Sequence, residues 1–353
     1  MKIKLAILEK DAGYLQRIVS VFSTKYADKL EIYSFTDMDV ALSTLDSAKI
    51  DVLVANDAFD IDFAALPKRC GFAYFVDSAD VETLNDQAVI CKFQKADLIY
   101  RQILSIYSET AGNVSGLKFD DDSTQVLAFA PISGGCGSST VAAACALHFA
   151  AKGERVFYLN LEKTGSSDCF FAGEGQFDMS DIIFSLKSKK ANLAMKLESC
   201  AKVDSRGVTF FSQSKIALDM LELNTEDVLH LISELKMTGQ YKYLILDLDF
   251  SLDKEMLKIL RQTHSITWVG DGSEISNIKL FRAYNALATM EQNADSPLTS
   301  RLSLIYNKFS NKTCKTLTDI EIRNVGGAPR YEHATTAQIL SQLSPMDMFD
   351  KIV

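Results

Sequence analysis

Pro131-Ile132-Ser133-Gly134-Gly135-Cys136-Gly137-Ser138-Ser139-Thr140 follows an apolar run at 126–130. It leads into Val141-Ala142-Ala143-Ala144-Cys145-Ala146-Leu147, a small-residue helical pattern that reaches Lys152 and stops at Gly153. Strand, glycine-rich turn and helix start, in that order, form the context a phosphate-binding loop requires. Glycines let backbone N–H groups approach phosphate oxygens, and the helix N-terminus adds its partial positive charge. An ordinary strand–turn–helix has the same outline, so the flanking sequence must decide between the two.

On the C-terminal side, further strand-like runs fall at 156–161, 208–211, 243–248, 266–269 and 302–306, with helical segments between them. On the N-terminal side, runs at 3–8, 30–34, 52–55, 73–76 and 89–91 are separated by helical stretches at 15–26, 38–45 and 96–107. Both halves therefore read as α/β with largely parallel sheets. Five βα units within residues 1–108 predict a flavodoxin-like receiver domain. Residues 109–123 are small, polar and acidic and read as a linker. Residues 124–353 then form a second domain. The sequence shows no internal repeat and no low-complexity block.

The 353 residues, 47% of them hydrophobic, suffice for two domains with real cores. The apolar runs are far shorter than the about eighteen residues needed to span a bilayer, so no transmembrane segment is expected. Near the N-terminus, Glu9 and Asp11 interrupt the run at 3–8, which reads as a first strand rather than a leader. A net charge of −9 argues against broad nucleic-acid binding. Seven scattered cysteines without a Cys-x-x-Cys pair point to reduced thiols in a cytoplasmic protein. The four histidines, His148, His230, His264 and His333, lie far apart and read as structural or solvent-facing.

With these segments in order, residues 124–353 resemble the ParA/MinD ATPases, whose deviant Walker A loop runs Lys-Gly-Gly-x-Gly-Lys-Ser/Thr-Thr. Gly134, Gly135 and Gly137 match its glycines, with Cys136 between them; Ser139 matches its magnesium-binding hydroxyl and Thr140 the next residue. Ser133 and Ser138 replace both of its lysines. Asn160 and Glu162 stand where the family has Asp-x-Asp, and the resemblance gives Glu162 the water-positioning role. The run ending at Asp247 resembles a Walker B strand, whose aspartate holds magnesium through water. Asn307 resembles the residue that reads an adenine edge, and Gly326-Gly327-Ala328-Pro329-Arg330 the proline-containing loop beside the base. The resemblance thus implies bound ATP and Mg, with weak or no hydrolysis because the loop charge is missing. It also implies a homodimer.

In the first half, a working receiver needs acidic residues after its first strand, Asp after the third, Ser or Thr after the fourth and Lys after the fifth. Here these places hold Glu9-Lys10-Asp11, Asn56, Ser78 and Lys92. Asn56 cannot form an acyl phosphate, and Asp57 falls on the opposite strand face. A degenerate receiver ahead of a ParA/MinD-like domain resembles the TadZ/CpaE pilus-assembly family. That family implies a localisation factor for a tight-adherence-type pilus secretion system, recruited by that machinery or by a polar landmark protein. Two alternatives remain: a MinD- or ParA-like ATPase positioning another machine, and a response regulator with a nucleotide-binding output domain. The C-terminal stretch 343–353 is acidic and interrupted by Pro345, a poor match for a membrane-targeting helix.

Overall fold

The computed structural model describes residues 2–110, 124–165, 167–188, 192–292 and 297–353. The chain divides into two compact units, Met1–Gly116 with Phe184–Cys200, and Leu117–Ile183 with Ala201–Val353. Most of the expected linker at 109–123 lies outside the described residues.

The first unit is built on β1 (Ile3–Leu8), β2 (Leu30–Phe35), β3 (Val52–Asn56), β4 (Gly71–Val76), β5 (Thr83–Leu84) and β6 (Gln87–Cys91), in the order β2-β1-β3-β4-β6-β5. Every pairing is parallel except that of the two-residue β5 with β6. The strands β3 and β4 are buried at every position, as expected of parallel strands covered on both faces. The helices are α1 (Ala12–Lys25), α2 (Met38–Ser47) and α3 (Ala96–Thr110). Asp11 caps α1 by accepting from the Gly13 and Tyr14 N–H groups, which ties that carboxylate to the backbone.

The three expected helical stretches are formed, but not all of the five expected βα units are complete. Between β3 and β4 there is only a 3-10 turn at Phe63–Ala65, and β4 leads to β6 through β5. The β3–β4 connection contains Pro67, and Ile61, Phe63 and Leu66 pack singly on the Leu53–Phe72–Tyr74 face instead of forming a helical stripe. The unit gains a helix from the middle of the chain, Leu193–Cys200, which lies against α3. There the buried Lys196 ammonium donates to Ser105 Oγ (2.8 Å), the Asn192 N–H donates to the Ser108 carbonyl (2.9 Å), and Glu198 pairs with Lys29.

The second unit runs through β7 (Gln125–Pro131), α4 (Ser138–Ala151), β8 (Val156–Asn160) and the start of α5 (Met179–Ser188), whose residues from Phe184 belong to the first unit; the helix at Leu193–Cys200 is α6. Then come β9 (Lys202–Val203), β10 (Val208–Phe210), α7 (Ala217–Glu222), α8 (Thr225–Met237), β11 (Tyr243–Asp247) and α9 (Lys254–Leu260). The last elements are β12 (Ser265–Gly270), α10 (Glu274–Met290), β13 (Leu302–Phe309), β14 (Arg323–Pro329) and α11 (Thr336–Leu343). The sheet order is β14-β13-β12-β7-β11-β8-β10-β9, parallel except for β9 on β10.

Helix α4 follows the interior strand β7 and is buried from Val141 to Phe149, which explains its small side chains on all faces. The C-terminal turn Asp347–Ile352 buries Met348, Phe349 and Ile352 in the same core. His148 fixes this turn through the Ser344 carbonyl (2.8 Å) and Asp350 Oδ1 (3.1 Å). The proline-containing segment expected as a loop is the edge strand β14, with Pro329 at its last position, where a missing N–H is tolerated. No helix among the described residues is long and apolar enough to cross a membrane.

Candidate functional site

The chain leaves β7 at Pro131 and turns through the glycines into α4. Gly135 and Gly137 have left-handed φ of 76° and 83°, and Gly137 is the helix N-cap. A Cβ on Gly137 would stand 2.6 Å from Asn307 Nδ2, whereas Gly134 and Gly135 face open space. The positions therefore differ: Gly137 needs both the conformation and the room, Gly135 only the conformation, and Gly134 neither.

One flank of the turn is held by β13. The Asn307 amide donates to the Cys136 carbonyl (2.8 Å) and the Lys308 ammonium to the Gly135 carbonyl (2.7 Å). Asn307, expected at an adenine edge, is buried with its amide engaged beneath the turn. Pro329 instead lines a cavity of about 370 Å³ with Tyr306, Phe309, Asn311, Thr316 and Asn324, and Asn307 is not part of its wall.

The other flank is acidic. Ser139 Oγ donates to Glu162 Oε1 (3.0 Å), and the Asn160 amide donates both to Glu162 Oε2 (2.9 Å) and to Asp247 Oδ2 (2.9 Å). Tyr158 O–H adds a 2.6 Å bond to Asp247 Oδ2. The Asn160 amide therefore links two carboxylates, and an aspartate there would add a third negative group. Burial first, and the Glu162 charge second, push the Asp247 carboxyl well above the ordinary carboxylate range. No lysine or arginine among the described residues pairs with either carboxylate. The Lys163 ammonium bonds the Met220 (3.3 Å) and Leu223 (3.4 Å) carbonyls instead.

Two fully buried oxygens in this cradle have no hydrogen-bond partner: Ser138 Oγ and Asp247 Oδ1. Such groups are costly unless something completes them. Among the described residues, no group of three or more His, Cys, Asp or Glu side chains is arranged so that it could hold a metal ion. Ser139 and Asp247 are the groups available to a magnesium ion that takes its other ligands from phosphate and water, and the orphaned Asp247 oxygen fits that use. Thr140 lies half-buried in the first turn of α4. Sequence reasoning missed Tyr158, whereas Lys308, like Lys163, stood out as a lysine able to take over from the missing loop charge. Tyr158 gave no signal; Lys308 follows Asn307 directly, but its contact depends on an irregularity in the strand.

The first unit has its own polar centre. Glu9, at 1% exposure, accepts two bonds from Asn56 Nδ2 (3.0 and 3.2 Å) and lies 3.5 Å from the Lys92 ammonium. Lys92 also pairs with Asp77 Oδ1 (2.7 Å), the neighbour of the expected Ser78, whose hydroxyl points instead to Asp80 Oδ2 (3.5 Å). Burial works against the Lys92 charge, but Asp77 and Glu9 outweigh it and hold its pKa above the ordinary lysine value. Lys10 turns away, donating to the Ala58 carbonyl (2.9 Å) over the Phe59 ring.

The chain thus consists of two α/β units with mainly parallel sheets, the second carrying a glycine turn at the end of an interior strand. Residues 1–108 match the family model described as TadZ-like, receiver domain. No curated protein matches the chain. Among solved structures it is similar to a ParA family ATPase from Chlorobium tepidum TLS, at 19% identity over 65% of this chain and 95% of that one, TM-score 0.49. It is also similar to the septum site-determining protein MinD complexed with Mg-ADP from Pyrococcus horikoshii OT3, at 13% identity over 65% and 92%, TM-score 0.48. A third similarity is to the MinC:MinD cell division complex of Aquifex aeolicus, at 14% identity over 65% and 94%, TM-score 0.47.

Proposed function

We propose that the second unit binds ATP with Mg at the glycine turn and turns it over slowly or not at all. The first unit acts as a docking module, and the chain as a whole as a localisation and assembly factor for a tight-adherence-type pilus secretion system. The observation that carries the nucleotide reading is the pair of buried, unpartnered oxygens, Ser138 Oγ and Asp247 Oδ1, beside the turn. The TadZ-like description of residues 1–108 supports the pilus reading.

A bound magnesium nucleotide would bring the cation that this acidic flank lacks. The protein's part is to present backbone N–H groups, the Ser138 hydroxyl and the α4 dipole to the phosphates, with Ser139 and Asp247 toward the metal. The resemblance gives Glu162 a water-orienting role, but its carboxylate is already held by Ser139 and Asn160. Serine at 133 and 138 offers no charge to a transferring phosphoryl group. Losing such charge-assisted contacts costs several kcal/mol in the transition state, on the order of a thousandfold in rate.

A phosphate-release assay separates this from the alternative of an ATPase that positions another machine. Turnover of about one per second would support that alternative. Asn56, with its amide on Glu9, disfavours the response-regulator reading; stable aspartyl phosphate formed by acetyl phosphate on residues 1–108 would revive it.

A further inference from the structure

Asn307 and Lys308 are consecutive residues of β13, yet both side chains reach the same turn. In a regular strand, neighbouring side chains point to opposite faces. Here the β13–β14 pairing slips between Tyr306 and Phe309, and Lys308 has a left-handed φ of 58°. A lysine rarely adopts that conformation, and it brings the ammonium to the side Asn307 already faces.

We infer that this irregular strand end is a clamp holding the glycine turn in its phosphate-binding shape, with Asn307 and Lys308 as positioning residues. The inference rests on the nucleotide reading above. Within a planar peptide the C=O and N–H point in opposite directions. Bonding the Cys136 carbonyl to Asn307 therefore turns the Gly137 N–H away from β13. Bonding the Gly135 carbonyl to Lys308 does the same for the Cys136 N–H, whose own bond to the Ser133 carbonyl is long at 3.4 Å. Helix α4 has no side-chain N-cap, so its first-turn N–H groups are also left for a ligand. Ser138 Oγ, buried and unpartnered, lies in that first turn. Together these are neutral donors suited to a polyphosphate, ordered in advance by β13 where the related loops use lysine charge.

The test uses the full chain and three variants: Lys308→Met, which keeps the stem and removes the donor, Asn307→Ala, and, as a control, Lys279→Met at an exposed position of α10. Mg-ATP and Mg-tripolyphosphate are titrated into each, and amide exchange of residues 133–138 is followed by mass spectrometry without ligand. The clamp predicts that Lys308→Met weakens both ligands in parallel by about tenfold, the value of one hydrogen bond to a charged donor, and that Asn307→Ala weakens them at least as much. It also predicts faster exchange at 133–138 in both variants, and parent-like behaviour in the control. Binding of Lys308→Met within about twofold of the parent, with unchanged exchange, overturns the inference. So does weakening of ATP alone, which would place Lys308 against the base or sugar. If the parent binds neither ligand, the nucleotide reading fails, and the exchange measurement alone decides the clamp.

Discussion

Substituting alanine at each of the three loop glycines tests whether the turn is packed as described. Gly134 has open space and no left-handed φ, so alanine there is neutral or stabilises by up to about 1 kcal/mol through the unfolded chain. Gly135 also has open space, but its φ of 76° costs an L-residue about 1–2 kcal/mol. Gly137 combines a φ of 83° with a Cβ 2.6 Å from Asn307 Nδ2. Alanine there pushes the amide off the Cys136 carbonyl and leaves buried polar groups unmatched, adding about 1–3 kcal/mol, for a total of roughly 2–5 kcal/mol. The chain has one tryptophan, Trp268, fully buried in β12, so its fluorescence reports unfolding of the second unit. With a urea m-value of about 2–3 kcal/mol/M, the midpoint should fall by roughly 1–2 M for Gly137→Ala and by roughly 0.5 M for Gly135→Ala. Equal shifts for all three variants, or a larger loss at Gly135 than at Gly137, would refute the packing of the turn on Asn307.

Asp247→Asn should raise the Trp268 urea midpoint at neutral pH, because the amide oxygen keeps the Tyr158 and Asn160 bonds and the amide nitrogen takes the orphaned side. The folded pKa of Asp247 is raised, so the parent's stability from this group is complete below the ordinary carboxylate value and is lost as pH rises through the folded value. The advantage of the variant must therefore shrink on acidification; a pH-independent difference contradicts the assignment. In the first unit, Lys92→Met leaves Glu9 buried without its cation and should cost about 3–5 kcal/mol, read by far-UV circular dichroism in urea. A loss below about 1 kcal/mol would show that the Asn56 amide alone satisfies Glu9. Sedimentation should reveal a homodimer whose affinity depends only weakly on Mg-ATP, since Ser133 hydrogen-bonds Ser276 (3.2 Å) within the same unit and carries no charge to a partner. A monomer with and without nucleotide removes the dimer.

Much of the sheet structure was legible because fully buried parallel strands read as apolar runs. Residues 3–8 and 243–247 are examples, and β1 has the bounds the pattern predicts. β14 was not legible. Gly326, Gly327, Ala328 and Pro329 have the composition of a loop, and only backbone pairing at the sheet edge makes them a strand. The stretch that forms α6 read only as a helical segment between strands, and a sequence does not say against what such a segment packs, so its place on α3 in the first unit stayed hidden. In the receiver centre, Ser78 was read as the functional remnant by its position after β4. The pairing with Lys92 falls on Asp77 one residue earlier, because a charged neighbour competes better for an ammonium than a hydroxyl does. Ser139, Glu162 and Asp247 meet on one flank because each lies at or beyond the C-terminal end of an interior parallel strand. The bonds of Asn307 and Lys308 to the turn were not legible, because the slip in β13 leaves no mark in composition.

The most direct measurement of the central claim is calorimetric titration of Mg-ATP into the purified 353-residue chain, with Asp247→Ala titrated in parallel. The account predicts one saturable site per chain, with affinity lost when magnesium is chelated and sharply reduced in the variant. A folded protein that gives no binding heat at millimolar Mg-ATP would contradict it.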